Sequence, residues 1–105
     1  MTDYTELILD HYRHPRNQGT LSMCLTSTVT NSACGDSITV YFRLKSGKVT
    51  EFKWQGTGCA ISQAAASILS EKIIGKKPFS VKPISVTPAR TACASLVVKA
   101  IFNAS

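Results

Sequence analysis

Between residues 37 and 45 apolar and polar side chains alternate without a break. Ile38, Val40, Phe42 and Leu44 stand against Thr39, Tyr41, Arg43 and Lys45. A period of two marks a strand with one face in a core and the other in water. Ser46-Gly47 follows as a hairpin-length turn. Residues 48 to 55 then return as a strand, with Phe52 and Trp54 on one face and Glu51 and Lys53 on the other. Connections this short allow only antiparallel pairing. Residues 24 to 31, rich in Thr, Ser and Val, predict one more strand, so three antiparallel strands are expected.

Gly56 and Gly58 end the pattern, because without a Cβ the backbone can turn sharply there. From Cys59 the period becomes helical. Ile61, Ala64, Ala65, Ile68, Leu69 and Ile73 form one stripe, with Lys72 in the last turn and Gly75 as the stop. Residues 3 to 13 predict a short helix with Tyr4, Leu7, Ile8, His11 and Tyr12 on one face. Asp3 and Glu6 suit a capping box, and Pro15 ends the helix by constraining His14. Residues 76 to 87 contain Pro78 and Pro83 and read as an irregular connection. Thr87-Pro88 then opens a last helix, with Cys93, Leu96, Val97, Ala100 and Ile101 on its buried side. No repeat or linker divides the chain, so residues 1–105 are expected to form a single domain.

Hydrophobic residues make up 44% of the chain, too many for a disordered one. No apolar run approaches the roughly 20 residues of a membrane span, and the polar N-terminus lacks a signal-peptide core. The expected location is therefore cytoplasmic, with no membrane association. Disulfides are rare there, which turns attention to cysteines as ligands or reactive thiols. The net charge of +6 is spread over lysines without a basic, aromatic-interleaved motif, so no nucleic-acid partner is expected. The charge suits an acidic protein partner instead.

Cys34, Cys59 and Cys93 each fall at a predicted junction: a loop between strands, a strand-to-helix turn, and the first turns of the last helix. A helix N-terminus favours the thiolate, the form that binds metals and attacks electrophiles. Cys34 and Asp36 flank Gly35, a spacing that lets both side chains wrap one ion. Three sulfurs and one oxygen suit a tetrahedral zinc or an iron–sulfur cluster. An oxygen ligand is more easily displaced than a fourth thiolate, which suits exchange over permanent structural zinc. Spacing alone leaves a second reading open. There is no Cys-x-x-Cys pair, and free cysteines are often simply buried.

The residues around the cysteines carry more. Ile8-Leu9-Asp10-His11-Tyr12-Arg13-His14-Pro15-Arg16-Asn17, Ala33-Cys34-Gly35-Asp36, Gly56-Thr57-Gly58-Cys59-Ala60-Ile61-Ser62 with Ala65-Ala66-Ser67, and Pro88-Ala89-Arg90-Thr91-Ala92-Cys93-Ala94-Ser95-Leu96 occur in that order. Together they resemble the iron–sulfur cluster assembly scaffold family, comprising IscU, SufU and the N-terminal domain of NifU. The resemblance implies an α+β fold, a SufE/NifU-like sandwich of a three-stranded antiparallel sheet packed against helices. It implies that Cys34, Asp36, Cys59 and Cys93 meet as ligands of iron in a transient [2Fe-2S] cluster, or of zinc. It also implies a pyridoxal-phosphate cysteine desulfurase as sulfur donor, recipient apoproteins as acceptors, and a monomer or weak dimer. Cys34 in a SufU-like mode, or Cys93 in an IscU-like mode, is the candidate persulfide acceptor. On this resemblance the chain is a carrier and not an enzyme, unless the SufU-like sulfurtransferase mode holds.

Ala92 stands where IscU-type members have a histidine, which favours the SufU or NifU side. The connection between Cys59 and Cys93 lacks the SufU-type insertion, and the last helix is expected to be shorter than the family's. A zinc-stabilised interaction domain without sulfur chemistry is a further alternative. Among the remaining residues, Cys24 reads as a partly buried strand residue, and His11 as a packed core histidine. His14-Pro15-Arg16 reads as an exposed helix end. Arg90 is a candidate for neutralising a thiolate-rich site or pairing with Asp36.

Overall fold

The computed structural model describes residues 4–31, 35–80 and 91–104. Its elements are α1 (Tyr4–Arg13), β1 (Leu25–Asn31), β2 (Asp36–Lys45), β3 (Lys48–Thr57), α2 (Ala60–Lys72), a 3-10 turn (Pro78–Ser80) and α3 (Thr91–Ala104). The strands form one antiparallel sheet in the order β1-β2-β3. The helices α2 and α3 pack on one face of it, and α1 lies against α2. This is the α+β arrangement expected from the alternating strands. The Asp3 cap, Pro83, the Thr87-Pro88 helix start and Arg90 lie outside the described residues, as do the side chains of Tyr4 and Cys93.

The period-two pattern of β2 is realised directly. Asp36, Ile38, Val40 and Phe42 point inward and are buried, while Ser37, Thr39, Tyr41 and Arg43 face outward and are half-buried. Leu44 departs from the expectation and lies exposed at 40%. The cause is a register shift between Arg43 and Leu44, which leaves Thr50 unmatched on β3. A bulge of this kind resets which side chains face inward, so Val49 and Phe52 are both buried although three positions apart. Beyond the bulge, Ser46 (φ 55°) and Gly47 (φ 77°) both adopt left-handed backbone, the geometry of a primed hairpin turn. The outward face carries Arg43 paired to Glu51 at 2.7 Å and a Thr28–Thr39 hydroxyl contact at 2.7 Å.

Three strand limits differ from those expected from sequence. Cys24 lies in the bend before β1, half-buried, with its thiol 3.4 Å from the Leu21 carbonyl. β3 runs on to Thr57, and Asp36 is the first residue of β2 and not part of the loop before it.

The helix α2 is the centre of the molecule. Every residue from Ala64 to Ser70 is buried, a wider surface than the predicted stripe. The stripe Ala64, Ala65, Ile68, Leu69 and Ile73 meets the core. On the opposite side small serines admit α1 and the segment after it. The Ser67 hydroxyl is 2.7 Å from His11 Nδ1 and accepts the Arg16 backbone N–H at 2.8 Å. The Ser70 hydroxyl accepts from Asn17 Nδ2 at 3.0 Å. Arg16 and Asn17 are therefore docked on α2, a correction to the exposed helix end, although His14 is exposed as expected. On α1 itself Ile8 and His11 are buried, whereas Leu7 and Tyr12 of the predicted face are exposed.

His11 is the packed histidine anticipated from its spacing. It is 4% exposed, and burial, with Arg16 adding to it, lowers its pKa below the ordinary 6.5. Neutral Nδ1 can then accept the Ser67 O–H. The folded pKa lies below the unfolded one, so this contribution to stability is fully present above pH 6.5 and is lost as pH falls from there through the lower folded value. Wild-type stability in urea is expected to drop between neutral pH and about pH 5, and His11→Asn to flatten that dependence. An unchanged slope in the variant would remove His11 from the account.

Candidate functional site

The described part of the site lies where β2 begins, β3 ends and α2 begins. Strand alternation places Asp36 on the inner face of β2, with none of its surface exposed. A buried carboxylate must be held by donors or by charge. Here Oδ1 accepts the backbone N–H of Cys59 at 2.9 Å, and Oδ2 accepts the Ser62 hydroxyl at 2.6 Å. Cys59 is the N-cap residue of α2 and offers no side-chain cap of its own. The strand carboxylate supplies the acceptor, and the positive end of the helix favours negative charge there. The Cys59 thiol is free and half-buried, 3.6 Å from Asp36 Oδ2 and 3.6 Å from Ser62 Oγ.

Gly58 makes this approach possible. Its φ is +127°, and a Cβ added there would lie 2.1 Å from Asp36 Oδ1 and 2.8 Å from the Asp36 Cα. Gly56 has the same role one step earlier, where a Cβ would meet Ile38 Cδ1 at 2.4 Å and the Ser37 carbonyl at 2.7 Å. The two glycines thus let the end of β3 cross over the start of β2. Gln63 Nε2 donates to the Gly58 carbonyl at 3.0 Å and closes the turn.

Of the four ligands expected from sequence, Asp36 and Cys59 are brought together. Cys34 lies outside the described residues. Cys93 lies in the first turn of α3, but its side chain is also outside them. Among the described residues no group of three His, Cys, Asp or Glu side chains converges. The pair that is present fits a tetrahedral ion. Zinc–sulfur and zinc–oxygen bonds of about 2.3 and 2.0 Å put two such ligands about 3.5 Å apart. The observed Sγ–Oδ2 separation is 3.6 Å. The residue missed by sequence reasoning is Ser62. Its signal was its place three positions after Cys59, at the helix position where side chains commonly complete a cap.

The chain's relatives agree with this architecture. The family profile described as the NifU-like N terminal domain matches residues 3–103. The zinc-dependent sulfurtransferase SufU of Bacillus subtilis is 39% identical over 72 residues, 69% of this chain and 49% of that protein. The iron-sulfur cluster assembly scaffold protein IscU of Thermotoga maritima is 40% identical over 72 residues, 68% of this chain and 51% of that protein. The chain thus spans about half the length of the curated relatives it matches. Among solved structures, the putative iron-sulfur cluster assembly scaffold protein for the SUF system from Fervidobacterium islandicum superposes with a TM-score of 0.83. Its identity is 26%, and the match covers 96% of this chain and 95% of that one. The N-terminal NifU-like protein of Brucella abortus shares the fold, with a TM-score of 0.82 at 22% identity, covering 96% of this chain and 90% of that one.

Proposed function

Because the chain belongs to the NifU-like N-terminal domain family, we propose that it is a scaffold for iron–sulfur cluster assembly, acting as one domain. The single observation that carries this reading is the Cys59 thiol held 3.6 Å from a buried Asp36 carboxylate at the start of α2. Cys34, Asp36, Cys59 and Cys93 form the ligand set. The cluster, a [2Fe-2S] unit, is cargo, built here and passed to apoproteins. Sulfur comes from a cysteine desulfurase as a persulfide. The thiolate of Cys34 or Cys93 attacks the outer sulfur; a new S–S bond forms, and the donor cysteine leaves as a thiolate.

The chain's own residues supply the setting. Helix α2 presents its positive end to the thiolate and carboxylate together. Gly58 keeps the turn narrow enough for the Cys59 N–H to orient Asp36. A single oxygen ligand among sulfurs favours release of cargo over permanent retention. The net charge of +6 suits an acidic surface on the desulfurase. In this role the chain is a carrier without turnover of its own, working in the cytoplasm.

A second reading is favoured by the Sγ–Oδ2 spacing and by Ala92 in place of histidine. In it the chain holds zinc and relays sulfur from the desulfurase, as the name of the Bacillus relative describes for that protein. The test is anaerobic incubation with ferrous iron, cysteine, a desulfurase and a thiol reductant, followed by absorbance, sulfide and metal analysis. The scaffold reading expects cluster absorbance that Cys59→Ser loses. Tight zinc with desulfurase stimulation and no cluster would replace it with the relay. Neither metal nor sulfur transfer would overturn both.

A further inference from the structure

We infer that Ser62 is a positioning residue, whose hydroxyl holds Asp36 Oδ2 at ligand distance from the Cys59 sulfur. This rests on the reading of Cys59 and Asp36 as ligands proposed above. Ser62 is fully buried, as is Asp36. The three atoms Ser62 Oγ, Asp36 Oδ2 and Cys59 Sγ form a closed triangle with sides of 2.6, 3.6 and 3.6 Å. The oxygen held by Ser62 is the one beside the sulfur. The other, Oδ1, is tied to the helix backbone at the Cys59 N–H.

The division of labour follows from hydrogen-bond capacity. A carboxylate oxygen has two lone pairs, so Oδ2 can keep the Ser62 hydrogen bond and still offer an electron pair to a metal. The bond to Oδ2 tethers the carboxyl plane at a second point beside the one at Oδ1. Hydrogen bonds from outside the ligand set orient ligands in this way, and their loss weakens metal binding by about 10–100-fold.

The experiment is a chelator-competition titration with zinc on the full chain, wild type, Ser62→Ala, Asp36→Ala and the double variant, with cobalt(II) spectra alongside. Alanine is a strong helix former, so helix α2 persists in the variant, which far-ultraviolet circular dichroism verifies. Ser62→Ala is expected to weaken zinc binding about 10–100-fold. The cobalt ligand-field bands should move as they do in Asp36→Ala, with the sulfur charge-transfer band retained. In the double variant the two losses should not add, because Ser62 acts through Asp36. Ser62→Thr, which keeps the hydroxyl, should restore binding to within a few-fold and stands in if the alanine variant fails to fold. Unchanged affinity in Ser62→Ala, or full additivity, overturns the positioning role and leaves the ligand assignment intact. Zinc binding by wild type that Cys59→Ser does not alter overturns the ligand assignment, and Ser62 with it.

Discussion

Gly58→Ala is expected to destabilise the protein by about 3 kcal/mol or more and to disorder the candidate site in the same stroke. Two costs combine. At φ +127° an L side chain is strained, by about 1–3 kcal/mol for a sparsely populated backbone region. The new methyl would also fall 2.1 Å from Asp36 Oδ1 and 2.8 Å from the Asp36 Cα. The carboxylate can rotate away, but only by giving up the Cys59 N–H. The Cα cannot move without displacing the start of β2. Overpacking of a filled site adds about 1–3 kcal/mol. Gly47→Ala is the control, since it shares a positive φ (+77°) but meets no described atom within 4 Å. It should cost only about 1–2 kcal/mol, the chirality penalty alone. Equilibrium denaturation measures both, and the amide resonance of Cys59 reports the site. A Gly58→Ala protein no less stable than Gly47→Ala would mean that the turn relaxes without touching Asp36.

Trp54→Ala is expected to cost about 3–5 kcal/mol, the usual range for deleting a large buried aromatic. Against a typical total of about 5–15 kcal/mol, that leaves little or no folded protein at 37 °C. Trp54 is completely buried opposite Val40 in the sheet. It is also the dock for the segment after α1. Its Nε1–H donates to the Arg16 carbonyl at 2.8 Å. Its backbone N–H donates to the Asn17 carbonyl at 3.1 Å, and its carbonyl accepts from Gly19 at 2.8 Å. This segment covers the outer edge of β3, which would otherwise expose unpaired backbone groups. Through Arg16 and Asn17 the same segment reaches Ser67 and Ser70 on α2. The variant should therefore lose protection from hydrogen exchange at β3 and along α2 together. A loss below about 2 kcal/mol would place the anchoring of this segment elsewhere.

Two residues of the candidate site were legible before any coordinates. The two motifs flanking Gly35 and Gly58 named Asp36 and Cys59, and the glycines marked the turns that bring them close. Ser62 was not legible as a partner. A serine at a helix position reads equally as a capping group, a small packing residue or an exposed one. Which it is depends on what the strand opposite presents. The docking role of the serines at 67 and 70 was not legible for the same reason: no hydrophobic pattern signals a helix face that is covered by a loop. Leu44 was misassigned because alternation predicts facing only while the register holds, and the bulge at Arg43 and Leu44 breaks it.

The sequence by itself determined which stretches are strands and helices and that the second and third strands pair as a hairpin, because side-chain period and turn chemistry are local. Alternation from 37 to 45, the short Ser46-Gly47 turn and the helical period after Cys59 carry that much. What the tertiary structure alone decided was contact between elements distant in the chain. It brought the Asp36 carboxylate against the start of α2. It packed His11 against Ser67, and it wrapped Arg16 and Asn17 onto α2. These depend on register, helix rotation and the space left by glycine and serine, quantities that no single stretch of sequence carries.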